Sequence, residues 1–167
     1  MYEGESETRK TCIRILRSDD IEQAYMLETE GYPADEAASY EQLVYRQREA
    51  PQLFLGYFEG SKLIGYVCCT KYPGPHLTEQ SMKVHDPSAD SVCIHSVCVA
   101  GDKRRQGVAL KTLTCLVQHV RKTQNGIHRI LLICKAYLIP LYTRAGFTLV
   151  GESNVIHGKF CCHNITY

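Results

Sequence analysis

Ser91-Val92-Cys93-Ile94-His95-Ser96-Val97-Cys98-Val99-Ala100, followed by Arg104-Arg105-Gln106-Gly107-Val108-Ala109, is the stretch on which the fold turns. Its first part is a nearly continuous apolar run, the pattern of a central strand covered on both faces. Its second part sets two small residues two apart, just where Ala109, Leu113, Leu116, Val117 and Val120 begin to recur at helical spacing up to Asn125-Gly126. Small residues let the backbone come close to a ligand, and the following helix points its N-terminus at the same place. The unpaired amides of the first helical turn and the positive end of the helix dipole favour an anion there, and Arg104 and Arg105 add formal charge. The nearest rival, a nucleotide P-loop, lacks its Gly-Lys-Ser/Thr signature in this chain.

Outward from this stretch the pattern stays regular. Ile13 and Ile15 mark a first strand, Ser18-Asp19-Asp20 a helix cap, and Ile21, Ala24, Tyr25 and Leu27-Glu28 an amphipathic helix broken at Gly31-Tyr32-Pro33. A second helix is expected from near Asp35 to about Glu49, its stripe carried by Ala38, Leu43 and Val44, with Pro51 closing it. Residues 53–58 and 63–70 are apolar runs joined by Glu59-Gly60-Ser61-Lys62, a hairpin. Residues 71–90 predict a long loop with one helical turn near Thr78 to Met82. Residues 130–134 form a further strand, Pro140 opens a short helix that stops at Gly146, and residues 147–150 and 155–167 end the chain in strands. The order β-α-α-β-β-β-α-β-α-β-β is that of an α/β (α+β) protein with a mixed sheet flanked by helices, one domain over residues 1–167.

Composition narrows the classes of function. With 167 residues, 44% of them apolar, there is room for one core and no second domain. Lys and Arg number 19 against 18 Asp and Glu, and no run of like charge exceeds Lys103-Arg104-Arg105, so no broad basic face is offered to nucleic acid. Nine cysteines without a Cys-x-x-Cys pair, several inside apolar runs, suit reduced buried thiols better than a disulfide framework or a metal site. Residues 1–10 are polar and acidic, expected to be flexible and unlike a signal peptide, and no stretch approaches the roughly 20 apolar residues that span a bilayer. The expectation is a cytoplasmic protein without membrane contact, in which the sequon Asn164-Ile165-Thr166 is a chance match.

The six residues 104–109, set after a buried strand, match the pyrophosphate motif Arg/Gln-x-x-Gly-x-Gly/Ala of the GNAT superfamily of N-acetyltransferases, which the chain resembles. Leu77-Thr78, Ser81, His85, Pro87, Ile94-His95 and Val97-Cys98-Val99 are similar in order and spacing to the arylalkylamine N-acetyltransferases. Leu27 through Pro33, Glu36, Ala38-Ser39, Ile94-His95-Ser96-Val97 and Ile139-Pro140-Leu141-Tyr142-Thr143-Arg144-Ala145-Gly146-Phe147 look more like the fungal branch, which acetylates polyamines and arylalkylamines. The resemblance covers most of residues 13–150 and implies the GNAT fold, a mixed and mostly antiparallel sheet of about six to seven strands with about four helices. It also implies acetyl-coenzyme A as co-substrate, no metal, a small-molecule amine acceptor, and a monomer or weak dimer. By the same resemblance Arg104, Arg105, Gln106, Gly107, Val108, Ala109 and Leu110 hold the pyrophosphate, and the backbone of Val97, Cys98 and Val99 holds the pantetheine arm.

The chemistry demands a neutral amine, since an ammonium has no lone pair and alkylamines titrate at a pKa of about 10. His95, on the central strand, matches the family's catalytic base and can accept that proton directly or through water. Tyr142 matches the general acid that protonates the departing thiolate. Vertebrate relatives carry His-x-His on this strand, whereas Cys93 stands at the first position here, and a thiol is a poorer base at neutral pH. His95 then works alone with water, or Glu28 or Glu30 assists. The acceptor is expected against Tyr32, Pro33 and the Pro73-Gly74-Pro75 region, with Glu28, Glu30, Asp35 and Glu36 nearby in sequence for a polyamine, so the choice between ring and polyamine stays open. Acetylation of protein N-termini or lysines, and a non-catalytic acyl-coenzyme A module, are the rival readings.

Overall fold

The computed structural model describes residues 9–155, 157–158 and 162–167. Residues 1–8 of the expected flexible lead, and residues 156 and 159–161 of the last expected strand, lie outside the described residues. Lys10 is tied down, its carbonyl accepting the Gly60 N–H at 3.0 Å.

In chain order the elements are β1 (Thr11–Ile15), α1 (Ile21–Gly31), α2 (Tyr40–Glu49), β2 (Phe54–Glu59), β3 (Lys62–Lys71), β4 (Ser91–Val99), α3 (Val108–Thr123), β5 (Arg129–Cys134), α4 (Ile139–Arg144), β6 (Thr148–Glu152) and β7 (His163–Thr166). One helical turn, Gln80–Met82, interrupts the long loop where expected. The strands form one sheet in the order β1-β2-β3-β4-β5-β7-β6. Every pairing is antiparallel except β4 with β5. A parallel pair needs a crossover, and α3 supplies it. The last strand enters between β5 and β6, a placement that local pattern does not encode.

Each face of the sheet has its own core. On one face Leu113, Leu116, Val117 and Val120 of α3 pack on Leu55, Val67, Val92, Ile94, Leu132 and Ile165. On the other, Ile21, Ala24 and Leu27 of α1 and Leu43 of α2 pack on Phe54, Tyr66, Cys68 and Cys98. Each fully buried leucine is worth about 1.5–3 kcal/mol of apolar burial. β4 is therefore covered on both sides, as its unbroken apolar run requires. No helix among the described residues is long and apolar enough to cross a membrane.

The second helix begins five residues later than its expected start near Asp35. Ser39 is the cap: its hydroxyl accepts from the Gln42 N–H at 3.1 Å, and the Gln42 side chain accepts the Ser39 N–H at 2.9 Å. This capping box, Ser-x-x-Gln, is visible in the sequence and outranks the apolar stripe that extends the helix to Ala38. Residues 34–37 instead fold as a turn on Pro33, whose carbonyl accepts from both Glu36 and Ala37 at 2.9 Å. That turn keeps Glu36 out of the helix and follows Tyr32, whose hydroxyl reaches the Val97 backbone on β4.

Candidate active site

β4 and β5 pair only at Ser91/Arg129, Val92/Ile130 and Cys93/Leu131. Beyond those positions the two strands part, while β5 stays paired with β7 along its other edge. A cavity of about 670 Å³ opens in the gap, lined by Ile94, His95, Val97, Cys98 and Val99 from β4 and by Ile133 and Cys134 from β5. The Ala100 N–H donates to Ile64 on β3 at 2.8 Å. By the alternation of an antiparallel ladder, Cys98 then turns its backbone groups to β3 as well, whereas those of Val97 and Val99 face the cleft. Of the three residues expected along a pantetheine arm, Val97 and Val99 can thus offer backbone groups and Cys98 cannot. The Cys98 thiol donates instead to Glu28 at 3.4 Å.

At one end the cavity meets the start of α3. Arg105 (φ 60°) and Gly107 (φ 79°) both take left-handed backbone, which wraps the turn and aims successive amides the same way. No side chain among the described residues caps the helix, and Gly107, Val108, Ala109 and Leu110 line the cavity with Arg104 and Arg105. Gly65 of β3 allows this close approach, because a Cβ there would stand 2.8 Å from Val108 Cγ1 and 3.0 Å from the Cys98 carbonyl. Backbone donors, dipole and two guanidinium groups fit a diphosphate. Gln106 stands apart from the cavity: its side-chain amide turns back to the Asp102 carbonyl at 2.9 Å.

Midway along the cavity stand His95 and Tyr142. Cys68 faces Ser96 and Cys69 faces Ile94, so His95 is the extra residue of a β-bulge. Bulges re-aim side chains, and this one brings the imidazole to Thr70, Nε2 lying 2.6 Å from Oγ1. Nδ1 is enclosed and has no partner among the described residues. Burial, with Arg46 and His85 adding to it, pushes the imidazole well below its ordinary range and keeps it neutral. Burial also raises the Tyr142 phenol, so it holds its proton. Cys93, packed inside, has its thiol pushed up to about 12 by the same cause, so it stays protonated near neutral pH and is poorly suited to act as a base. The thiols of Cys68, Cys69, Cys98 and Cys134 are likewise unoxidised, buried and raised by burial.

The other end is walled by Tyr32, Pro33, Leu77, Met82, Leu138 and Leu141. Leu77 and Met82 take the place expected of the Pro73-Gly74-Pro75 region. The Gly74 carbonyl is held at the opposite end of β4, accepting from Ser91 at 2.8 Å and Arg129 at 3.0 Å. Glu28 and Glu30 do not line the cavity. Glu30 is exposed. Glu28 is buried, its carboxylate accepting from Tyr66, Ser96, Cys98 and the Ala38 N–H, so it binds α1 and the turn after it to β3 and β4. Glu36 does reach the cavity, and Lys135 Nζ lies 2.6 Å from its carboxylate. Glu36 is among the carboxylates expected near the acceptor, whereas Thr70, Met82 and Lys135 are site residues without a sequence signature. They arrive from separate elements, brought together by packing and by long-range polar contacts such as Arg46 to the Met82 carbonyl and Lys135 to Glu36.

Comparison with known proteins adds family context. The model of the acetyltransferase (GNAT) family matches residues 18–147. Serotonin N-acetyltransferase of Mesocricetus auratus is 30% identical over 109 residues, 65% of this chain and 52% of that protein. The Pan troglodytes enzyme is 24% identical over 153 residues, 87% of this chain and 72% of its own. The chain thus spans only 52% of the length of the hamster relative it matches. Among solved structures, the loading GNATL domain of CurA from Lyngbya majuscula superposes with a TM-score of 0.85 at 15% identity, over 95% of this chain and 97% of that one. Arabidopsis thaliana NAA60 in complex with acetyl-CoA gives 0.72 at 17% identity, over 95% and 99%. At such identities these likenesses show the fold alone.

Proposed function

Because the chain belongs to the acetyltransferase (GNAT) family, we propose that it transfers an acetyl group from acetyl-coenzyme A to a small primary amine held beside His95. One observation carries this reading: the cavity joins the amide-rich turn at Gly107 to a neutral histidine and a protonated tyrosine. The thioester supplies an activated carbonyl when bound, and the chain's residues do the rest. The turn at residues 104–110 grips the diphosphate, and the open edge of β4 at Val97 and Val99 aligns the arm. His95 takes the amine's proton across one intervening hydroxyl or water, with Thr70 fixing the ring. Tyr142 returns a proton to sulfur as the carbon–sulfur bond breaks.

The acceptor end favours an amine with an apolar body. A polyamine needs carboxylates for its distal ammonium groups, and among the described residues Glu36 is the carboxylate that lines the cavity, already beside Lys135. Tyr32, Pro33, Leu77 and Met82 instead offer apolar surface, and the 71–90 loop narrows access for a peptide. Thiol release from acetyl-coenzyme A over tryptamine, phenethylamine, spermidine and N-terminal and lysine peptides tests this. Release with tryptamine and phenethylamine supports it. Release with peptides alone favours the protein acetyltransferase, and binding without release favours the non-catalytic module.

A further inference from the structure

The open edge of β4 is not bare. Where β5 departs, side chains take up the strand's backbone groups. The Tyr32 hydroxyl donates to the Val97 carbonyl and accepts the Val97 N–H, both at 3.2 Å, and Arg104 Nε donates to the Val99 carbonyl at 3.4 Å. A neighbouring strand satisfies a residue of β4 through one N–H and one C=O. A single phenol oxygen does both jobs here. These are the same groups that a pantetheine arm would use, so phenol and arm cannot hold Val97 together.

We propose that Tyr32 is a built-in competitor for the donor site, its hydroxyl occupying Val97 until the pantetheine arm displaces it. This inference rests on the acetyl-coenzyme A reading above and adds to it a residue that sets donor affinity. Tyr32 is suited to the task by its position. It follows the last turn of α1, adopts extended backbone (φ −119°, ψ 146°) as the residue before Pro33 must, and precedes the turn on Pro33. It is also partly exposed and lines the cavity, so the ring has somewhere to go. Burial holds the phenol protonated and able to donate. Both bonds sit at the long end of the hydrogen-bond range, weak enough to exchange for better-placed amides.

Removing the hydroxyl while keeping the ring should therefore tighten donor binding, the reverse of what loss of a ligand contact does. In Tyr32→Phe the Kd for coenzyme A, and for acetyl-coenzyme A, is expected to fall about three- to tenfold by calorimetry, as the loss of modest competing hydrogen bonds dictates. In the ligand-free protein the Val97 amide should exchange with solvent faster in Tyr32→Phe than in the native chain, read by NMR. Unchanged or weaker donor binding by the variant, with native binding intact, overturns the proposal and leaves the donor reading standing. An unchanged Val97 exchange rate overturns it as well. If neither protein binds the donor, the acetyl-coenzyme A reading falls and takes this inference with it.

Discussion

The two ends of the cavity are built in opposite ways. The donor end comes from one continuous piece of chain, residues 97–110, in which a strand, a left-handed turn and a helix start follow one another. The acceptor end is assembled from the turn after α1, the 71–90 loop and the segments after β5, pieces that Glu28, Arg46 and Lys135 help to tie together. Arg46, buried on α2, donates to the Met82 carbonyl at 3.1 Å and so holds the loop against the cavity. Local backbone geometry makes a binding site that survives changes elsewhere, whereas a site held by long-range polar contacts inherits the stability of each contact.

The sharpest way to break this contrast is at Glu28. Glu28→Ala leaves several buried donors without an acceptor, at about 1–3 kcal/mol each, so a loss of at least 3 kcal/mol is expected in denaturant titration. Donor Kd should change far less than acceptor KM in the surviving folded protein. Tyr142→Phe stands between the ends: turnover should fall about 100-fold, the scale of a lost general acid, while calorimetry finds donor Kd unchanged. A smaller effect is expected of His95→Ala, about tenfold near pH 6 and vanishing towards alkaline pH, read from kcat/KM. The sign follows from the depressed imidazole, which stays unprotonated below its usual range and can relieve an ammonium of its proton there. Without it, rate tracks the free-amine fraction, dropping roughly tenfold per pH unit. The same depression makes the unfolded chain bind protons at His95 and His85 below about pH 6.5 while the folded chain does not, so native stability should decline as pH falls through that region.

How far the sequence could be read follows the same division. The donor turn was legible because Arg104, Gly107 and Ala109 are neighbours and their chemistry depends on backbone shape. The element order was legible too, since each strand and helix carries its own period. The insertion of β7 between β5 and β6 was not, because strand order is a long-range property. The bulge at His95 also escaped local reading: it exists only in the register of β4 against β3, yet it sets where the imidazole points. Glu28 shows the limit most plainly. A glutamate at the end of an amphipathic helix reads as a solvated charge or a substrate ligand, and nothing near it in sequence reveals that Tyr66, Ser96 and Cys98 converge on it.

The donor end invites a test of its backbone. At Gly107 a Cβ meets nothing within 4 Å among the described residues, so Gly107→Ala clashes with no part of the chain but strains φ 79° and sets a methyl where the backbone would approach the diphosphate. The strain, about 1 kcal/mol, should appear as lost stability in denaturant titration, and donor binding should weaken as the methyl crowds the diphosphate, with acceptor KM unmoved. The acceptor end invites the matching test of charge. Lys135→Met strips the cation from Glu36, whose carboxylate is nearly enclosed, and leaves the cavity wall with a negative charge to satisfy. A monoamine gains nothing from that charge beyond its reacting nitrogen. A diamine can answer it with a second ammonium, so kcat/KM for spermidine relative to tryptamine should rise about threefold, the scale of a partly screened ion pair. A ratio that stays fixed would mean that Glu36 is oriented away from the acceptor and that shape alone selects the amine.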